Sequence, residues 1–317
     1  MLSKEELLIA ADNCLISADI PALGTKVAGK VRDIYQKGDE RILITSDRVS
    51  AFDRVLGVIP YKGQVLNQLS AWWFEKTADI VNNHVVSIPD PNVCIAREAQ
   101  TLPVEVVVRG YITGVTKTSL WYLYEQGDRQ PYGVPLPDGM QKNDPLPHPI
   151  ITPTTKAEKG GHDEVITSQS IVDSGIIEQS LWHEIEAMAL ALFARGQELA
   201  KAGGLILVDT KYEVGLIDGK LTLIDEVHTP DSSRYWYAAA YANCEIVNMS
   251  KEFMREWYAA QGYRGDGTPP QMPTEFRAQI AERYIDVYEK LTGQAFVPGQ
   301  QPAIDRITRN LSQEPIQ

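Results

Sequence analysis

The residues best suited to chemistry in this 317-residue chain form the run Val208-Asp209-Thr210-Lys211-Tyr212-Glu213-Val214-Gly215. Asp225-Glu226 follows, and then Pro230-Asp231-Ser232-Ser233-Arg234. Alternate side chains of a strand share a face, so Asp209, Lys211 and Glu213 should stand together. Two carboxylates on neighbouring strands beside a lysine suit magnesium held against a polyphosphate. The competing reading is the solvated face of an ordinary hairpin. Whether Glu213 meets Asp225 depends on the turn at Asp218-Gly219. A two-residue turn pairs Glu213 with Ile224 and points Asp225 to the opposite face. A three-residue loop, a type I turn with a G1 bulge at Gly219, gathers Lys211, Glu213 and Asp225 on one face. The second arrangement is expected, although it places Leu221 and Leu223 on the polar side.

Gly24 to Lys30 has the G-x-x-x-x-G-K spacing of a P-loop. Val31 stands where a P-loop needs a hydroxyl, and VRDIY is strand-like rather than helical. What survives is a glycine turn entering a strand, with Lys30 and Arg32 on one side, able to lay backbone amides and two cations over a triphosphate. A plain basic turn is the alternative. In PVEVVVRGYITG a charged Glu105 interrupts a valine run that ends at Arg109, which suits either an internal ion pair or an arginine binding carboxylate or phosphate. His84, His148, His162, His183 and His228 form no HxxxH or HExxH pair, which argues against zinc. His162-Asp163-Glu164, after Lys156 and Gly160-Gly161, reads as an active-site lid or as solvated surface. SAWWF and YWYAAAY lack interleaved basic residues and read as core packing.

The elements that must position these groups read as α+β. Short β-rich runs from Lys30 to Pro60 suggest an antiparallel sheet. LNQLSAWWFEKTADIV reads as a helix on that sheet and PVEVVVRGYI as a buried strand. Gly127 to Pro153 holds seven of the 19 prolines and reads as a long loop without helix or interior strand. Glu178 to Lys201 is an amphipathic helix stopped by Gly203-Gly204, a hairpin follows, and the last 65 residues look helical. Three segments result: residues 1–112 as an antiparallel β lobe with the phosphate loop, 113–250 as a second α+β lobe with metal and substrate sites, and 251–317 as a helical segment packed on both.

Composition narrows the function. Lys plus Arg number 30 against 42 Asp plus Glu, a net charge of −12, which argues against nucleic acid and anionic membranes as partners. No apolar stretch is long enough for a membrane span, and MLSKEELLIAADN reads as an acidic amphipathic helix rather than a signal peptide. A cytoplasmic protein is expected, and monomer and homo-oligomer both remain open. Cys14, Cys94 and Cys244 are an odd set in no CxxC pattern and read as buried thiols.

Taken together, seven blocks in order resemble the SAICAR synthetases, the phosphoribosylaminoimidazole-succinocarboxamide synthases of purine biosynthesis. They are GKVRDIY, SDRVSAFD, YKG, PVEVVVRGYITG, TKAEKGGHDE, VDTKYEVG and DEVHTPDSSRYW. They span nearly the whole chain, and the long middle segment is similar to the fungal-type members. The resemblance implies a two-lobed, kinase-like or ATP-grasp-like fold. It also implies a ligase that joins L-aspartate to the carboxylate of 4-carboxy-5-aminoimidazole ribonucleotide with ATP and Mg2+. Gly29, Lys30, Val31 and Arg32 would hold ATP, Glu105 would lie near the adenine hinge, and Glu213 and Asp225 would hold ATP through magnesium. Ser50, Asp53, Arg109, Asp231, Ser233 and Arg234 would bind the ribonucleotide, with His162 and Asp163 from the lid. Lys211, Lys156 and Asp209 would be catalytic. Val115 replaces a family serine, leaving Thr113 or Thr116 as substitutes, and Val214 replaces Phe or Ile. A small-molecule kinase on the same scaffold and a non-catalytic nucleotide sensor are the other readings. The first would not need aspartate, and the second would be expected to lose a metal carboxylate.

Overall fold

The computed structural model describes residues 2–155 and 164–313. Helix α1 (Lys4–Ala10) opens with a reciprocal capping box between Ser3 and Glu6. Strands β1 (Lys26–Ala28), β2 (Arg32–Lys37) and β3 (Glu40–Thr45) run antiparallel. The hairpin β4 (Arg48–Ala51) to β5 (Arg54–Val58) turns at Phe52 and Asp53, both at positive φ. Helix α2 (Lys62–Lys76) follows, and its first turn explains the YKG block. Tyr61 is left-handed at φ 59°. A Cβ on Gly63 would lie 2.2 Å from the Thr45 carbonyl oxygen, so only glycine lets the helix approach β3. The Gly63 amide donates to Asp47 (2.8 Å), placing a carboxylate at the positive end of the helix.

After β6 (Asn82–Asn83), strands β7 (Val85–Asp90) and β8 (Val93–Arg97) complete a sheet of order β1-β2-β3-β8-β7. The chain then crosses to a second sheet through β9 (Gln100–Thr101) and β10 (Val104–Tyr111). β10 lies in this second sheet, which β6 also joins by pairing in parallel with the strand at Lys220–Ile224. Its Val104, Val106 and Val108 are fully buried in the main core.

The proline-rich stretch differs from expectation. Helix α3 (Leu120–Glu125) precedes it, and β11 (Pro145–Ile151) forms within it as the outer strand beside β10. An edge strand tolerates proline because half of its amides face no partner. Leu146 and Ile150 pack with Ile112, Leu120, Tyr124 and Tyr132 in a small core of their own. Then come β12 (Thr154–Thr155), α4 (Ser168–Asp173) and α5 (Gln179–Ala202).

Strand β13 (Leu205–Ile217) is the spine of the second sheet. It pairs along its length with β10, β9, β14 (Lys220–Ile224) and β15 (Ser233–Tyr237). The expected three-residue loop is wrong. Ile217 pairs with Lys220 and Glu213 with Ile224, while Asp218 and Gly219 take φ of 52° and 73°. This two-residue turn, with positive φ at both positions, matches the right-handed twist of its strands and keeps Leu221 and Leu223 buried. Helices α6 (Ala238–Ala242), α7 (Lys251–Ala260), α8 (Thr274–Thr292) and α9 (Ala303–Gln313) follow. Helix α8 packs on α1, α2 and α5. Helix α9 returns to the first sheet, where Ala303, Ile307 and Leu311 join Tyr35, Ile42 and Ile95.

Candidate active site

A bulge on β13 builds the reactive face. Leu207 pairs with Tyr235 and Asp209 with Arg234, so Val208 is an extra residue. Without it Asp209 would share a face with the core residues Leu205 and Leu207. With it Asp209 joins Lys211 and Glu213 on the opposite face, the re-aiming that bulges provide. Arg109, Asp209 and Arg234 then lie directly across three adjacent strands. Arg109 reaches Asp209 at 3.5 Å and donates to the Thr152 hydroxyl at 2.8 Å. Arg234 pairs with Asp209 and lies 3.5 Å from Glu252. Burial works against the Arg234 charge, yet Asp209 and Glu252 outweigh it and raise its pKa. Two buried guanidiniums flanking one carboxylate can take a doubly charged anion by exchanging partners.

Two residues along β13 from Asp209, Lys211 lies 2.5 Å from Glu213 and 3.3 Å from Glu105 of β10. Burial alone would lower its pKa, but Glu213, Glu105 and Asp225 together raise it. Glu105 also accepts from Thr154 at 3.4 Å. Despite the two-residue turn, Asp225 is not lost to the far face. It follows the last residue of β14 at φ 69°, and this left-handed kink returns its side chain to the cavity that Glu213 also lines. That cavity holds about 120 Å³ between the sheets, with Ile34, Leu43, Ala96 and Ile224 as apolar wall. The connector from Ala96 to Thr101 borders it, whereas Glu105 is not part of its lining and lies against Lys211. Gly215 allows this closeness, since a Cβ there would lie 3.0 Å from the Gln100 carbonyl oxygen.

Lys30 and Arg32 engage different carboxylates. Lys30 bonds Asp53 at 2.6 Å at the tip of the β4–β5 hairpin, both exposed. Arg32 pairs with Asp225 and, at 3.3 Å, with Glu226. Burial raises the Glu226 pKa against the pull of Arg32. Gly29 and Val31 complete the turn between β1 and β2. Ser50 lies on β4 opposite Val55. Ser233 turns inward, donating to the Thr210 hydroxyl at 2.8 Å. Asp231 is held rather than presented: Lys62 lies at 2.9 Å and Lys251 at 3.3 Å from Oδ2, and Tyr284 donates to Oδ1 at 2.7 Å. Burial opposes its charge, but Lys251 and Lys62 hold its pKa well below the carboxylate range.

Lys156, His162 and Asp163 lie outside the described residues. Thr113 is buried and donates to Asn143 at 2.7 Å, while Thr116 is exposed beside Val115. Lys62, Lys251 and Glu252 had no role in the sequence reading, and Glu226 entered it only as the neighbour of Asp225. The expected helix began at Leu66, and it is the structure, starting α2 at Lys62 with no side-chain cap, that places this lysine where the helix dipole disfavours a cation. Among the described residues no group of three or more His, Cys, Asp or Glu side chains is arranged to hold a metal. Glu213 and Asp225 still fit magnesium, which takes one or two carboxylates beside phosphate oxygens. No helix among the described residues is long and apolar enough to cross a membrane.

An antiparallel sheet set over a second sheet, with a lysine and carboxylates between them and paired arginines alongside, defines a two-lobed α+β protein equipped to handle phosphorylated anions. More particularly, residues 25–270 match the SAICAR synthetase family, and the chain belongs to it. It is 50% identical over 307 residues to "Putative phosphoribosylaminoimidazole-succinocarboxamide synthase 2" of Agrobacterium fabrum, covering 94% of this chain and 97% of that protein. Phosphoribosylaminoimidazole-succinocarboxamide synthase of Legionella pneumophila is 49% identical over 310 residues, with coverage of 94% and 97%. A Saccharomyces cerevisiae SAICAR synthase structure complexed with SAICAR superimposes with a TM-score of 0.77 at 29% identity, covering 90% of this chain and 100% of that one.

Proposed function

We infer that the chain is a cytoplasmic ATP-dependent ligase of purine biosynthesis, with phosphoribosylaminoimidazole-succinocarboxamide synthase activity (EC 6.3.2.6). It joins L-aspartate to the carboxylate of 4-carboxy-5-aminoimidazole ribonucleotide, giving SAICAR, ADP and phosphate. The observation that carries this reading is Lys211 held between Glu105 and Glu213, in the cleft that Arg32 and Asp225 enter from opposite sheets. A carboxylate is a poor electrophile, so one of its oxygens first takes the γ-phosphoryl group, releasing ADP. The aspartate amine then attacks the acyl carbon, phosphate leaves, and the amine gives up a proton. Such a transfer needs alignment and charge neutralisation more than covalent help.

In this reading Gly29 to Arg32 receive the ATP phosphates, and the apolar wall beside the Ala96–Thr101 connector receives the base. Glu213 and Asp225 would hold magnesium, whose charge supports phosphoryl transfer. Lys211 steadies the transferring group from a fixed position, since both its carboxylate partners lie on rigid strands. Arg109 and Arg234 bind the ribonucleotide phosphate, with Asp209 holding both in place. Lys156, His162 and Asp163, outside the described residues, would meet the substrate. The test is direct: pure protein is incubated with ATP, magnesium, the carboxylated ribonucleotide and L-aspartate, and products are read by mass spectrometry. A succinocarboxamide that depends on aspartate supports the ligase. Sustained ADP turnover with no succinocarboxamide product would sink the reading.

A further inference from the structure

Arg48, at the start of β4, donates to four acceptors on three neighbouring segments. Its Nε reaches the Lys30 carbonyl oxygen at 3.1 Å, and Nη2 reaches the Gly29 carbonyl oxygen at 3.2 Å and Asp33 Oδ1 at 2.9 Å. Nη1 bonds the Ile16 carbonyl oxygen. Asp33 is fully buried, and its second oxygen accepts from the Ala18 amide at 2.7 Å, so the carboxylate that aims Arg48 is itself fixed. In a trans peptide the carbonyl of one residue and the amide of the next point in opposite directions. A guanidinium that holds the carbonyls of Gly29 and Lys30 therefore turns the amides of Lys30 and Val31 the other way. Among the described residues neither amide has a hydrogen-bond partner. The next carbonyl, that of Val31, is held by the Ser46 amide at 3.0 Å and hydroxyl at 2.8 Å. Successive amides turned to one side of an exposed glycine turn form an anion-binding concavity.

We propose that Arg48 is a positioning residue that presets the Gly29–Arg32 turn for the β- and γ-phosphates of a nucleoside triphosphate, without touching the nucleotide. This rests on the reading of that turn as the ATP phosphate loop. An arginine is required because one planar fork must span acceptors on several segments, which a lysine cannot do. The orientation of two amides is then fixed before ligand arrives, so no ordering is needed on binding.

The test compares ATP, ADP and AMP binding to the full chain by calorimetry, for the wild type, Arg48→Met and Arg48→Lys. Both variants should lose roughly tenfold or more in ATP and ADP affinity, while AMP, which lacks the outer phosphates, changes by less than about twofold. In turnover the KM for ATP should rise and that for the ribonucleotide should hold. Asp33→Asn, which leaves Arg48 in place but loosens its aim, should give the same pattern more weakly, and serves if the Arg48 variants do not fold. Equal weakening of ATP and AMP would reduce Arg48 to general structural support. Wild-type protein that makes product beside an Arg48→Met variant with unchanged ATP affinity would overturn this role alone. Wild-type protein that fails to bind ATP would overturn the functional reading and this inference with it.

Discussion

The ammonium of Lys62, on the first turn of α2, lies 2.9 Å from Asp231 in the turn before β15, with side-chain exposures of 0% and 3%. Lys251 and Tyr284 share the same carboxylate. This cluster ties the helix after the β4–β5 hairpin to the segment that carries Arg234. Asp231→Asn leaves two buried ammonium groups without their counter-charge and should cost about 3 to 5 kcal/mol in denaturant unfolding. Lys62→Met should cost less, because Lys251 remains beside the carboxylate. Equal losses would show that Lys251 does not share the charge.

Arg234→Ala removes one of the two guanidiniums beside Asp209. Ribonucleotide binding should weaken roughly ten- to a hundredfold, the worth of a charge-assisted contact. ATP affinity should change much less, since Arg32 and Lys211 lie in the other ionic group. Titration with each ligand separately checks this, and equal losses would place Arg234 in the wrong pocket.

Gly63→Ala should be among the most damaging small substitutions in the chain. The added methyl would meet a backbone oxygen at 2.2 Å, and a backbone cannot swing aside as a side chain can. Displacement of α2 from β3 should cost about 1 to 3 kcal/mol or more, read as a lower unfolding midpoint. A neutral result would mean that the helix start shifts freely.

His228 is fully buried against Trp73, with Nε2 2.5 Å from the Tyr212 hydroxyl. Burial lowers its pKa from an ordinary 6.5 to about 3. A depressed folded-state value for a histidine means that unfolding takes up a proton. Its contribution to stability is therefore present above pH 6.5 and is lost as the pH falls toward 3. Between pH 7 and pH 5 this single group should remove about 2 kcal/mol. His228→Asn, which tolerates the left-handed backbone there, should flatten that part of the stability profile. An unchanged slope would assign the acid sensitivity elsewhere.

Much of the fold was legible because strand alternation and helical spacing are local. Asp209, Lys211 and Glu213 could be placed on one face from period-two alternation alone, although the Val208 bulge that keeps Asp209 there left no trace in composition. The hairpin misleads for a related reason. Parity holds only along an unbroken strand, whereas the chain turns Asp225 back by kinking after the strand has ended. The prolines from 145 to 149 rule out a strand interior but not a sheet edge, which is where β11 lies. Lys62 could not be assigned because its partner is remote in sequence, and an isolated lysine does not announce burial. Arg48 was hidden differently: three of its four acceptors are backbone carbonyls, which every residue carries.

Helix α9 supplies Ala303, Ile307 and Leu311 to the core of the first sheet, and its Arg306 binds Asp90 at 2.9 Å and Asn92 at 2.6 Å. Strands made early during translation thus share a core with a helix made more than 200 residues after β8. While the chain is still on the ribosome, Ile42, Ile44 and Ile95 have no cover from that side, and Asp90 lacks its cation. The first lobe must wait, half-covered, until residues 303–313 emerge, and that interval is when a growing chain is most exposed to aggregation and to chaperones.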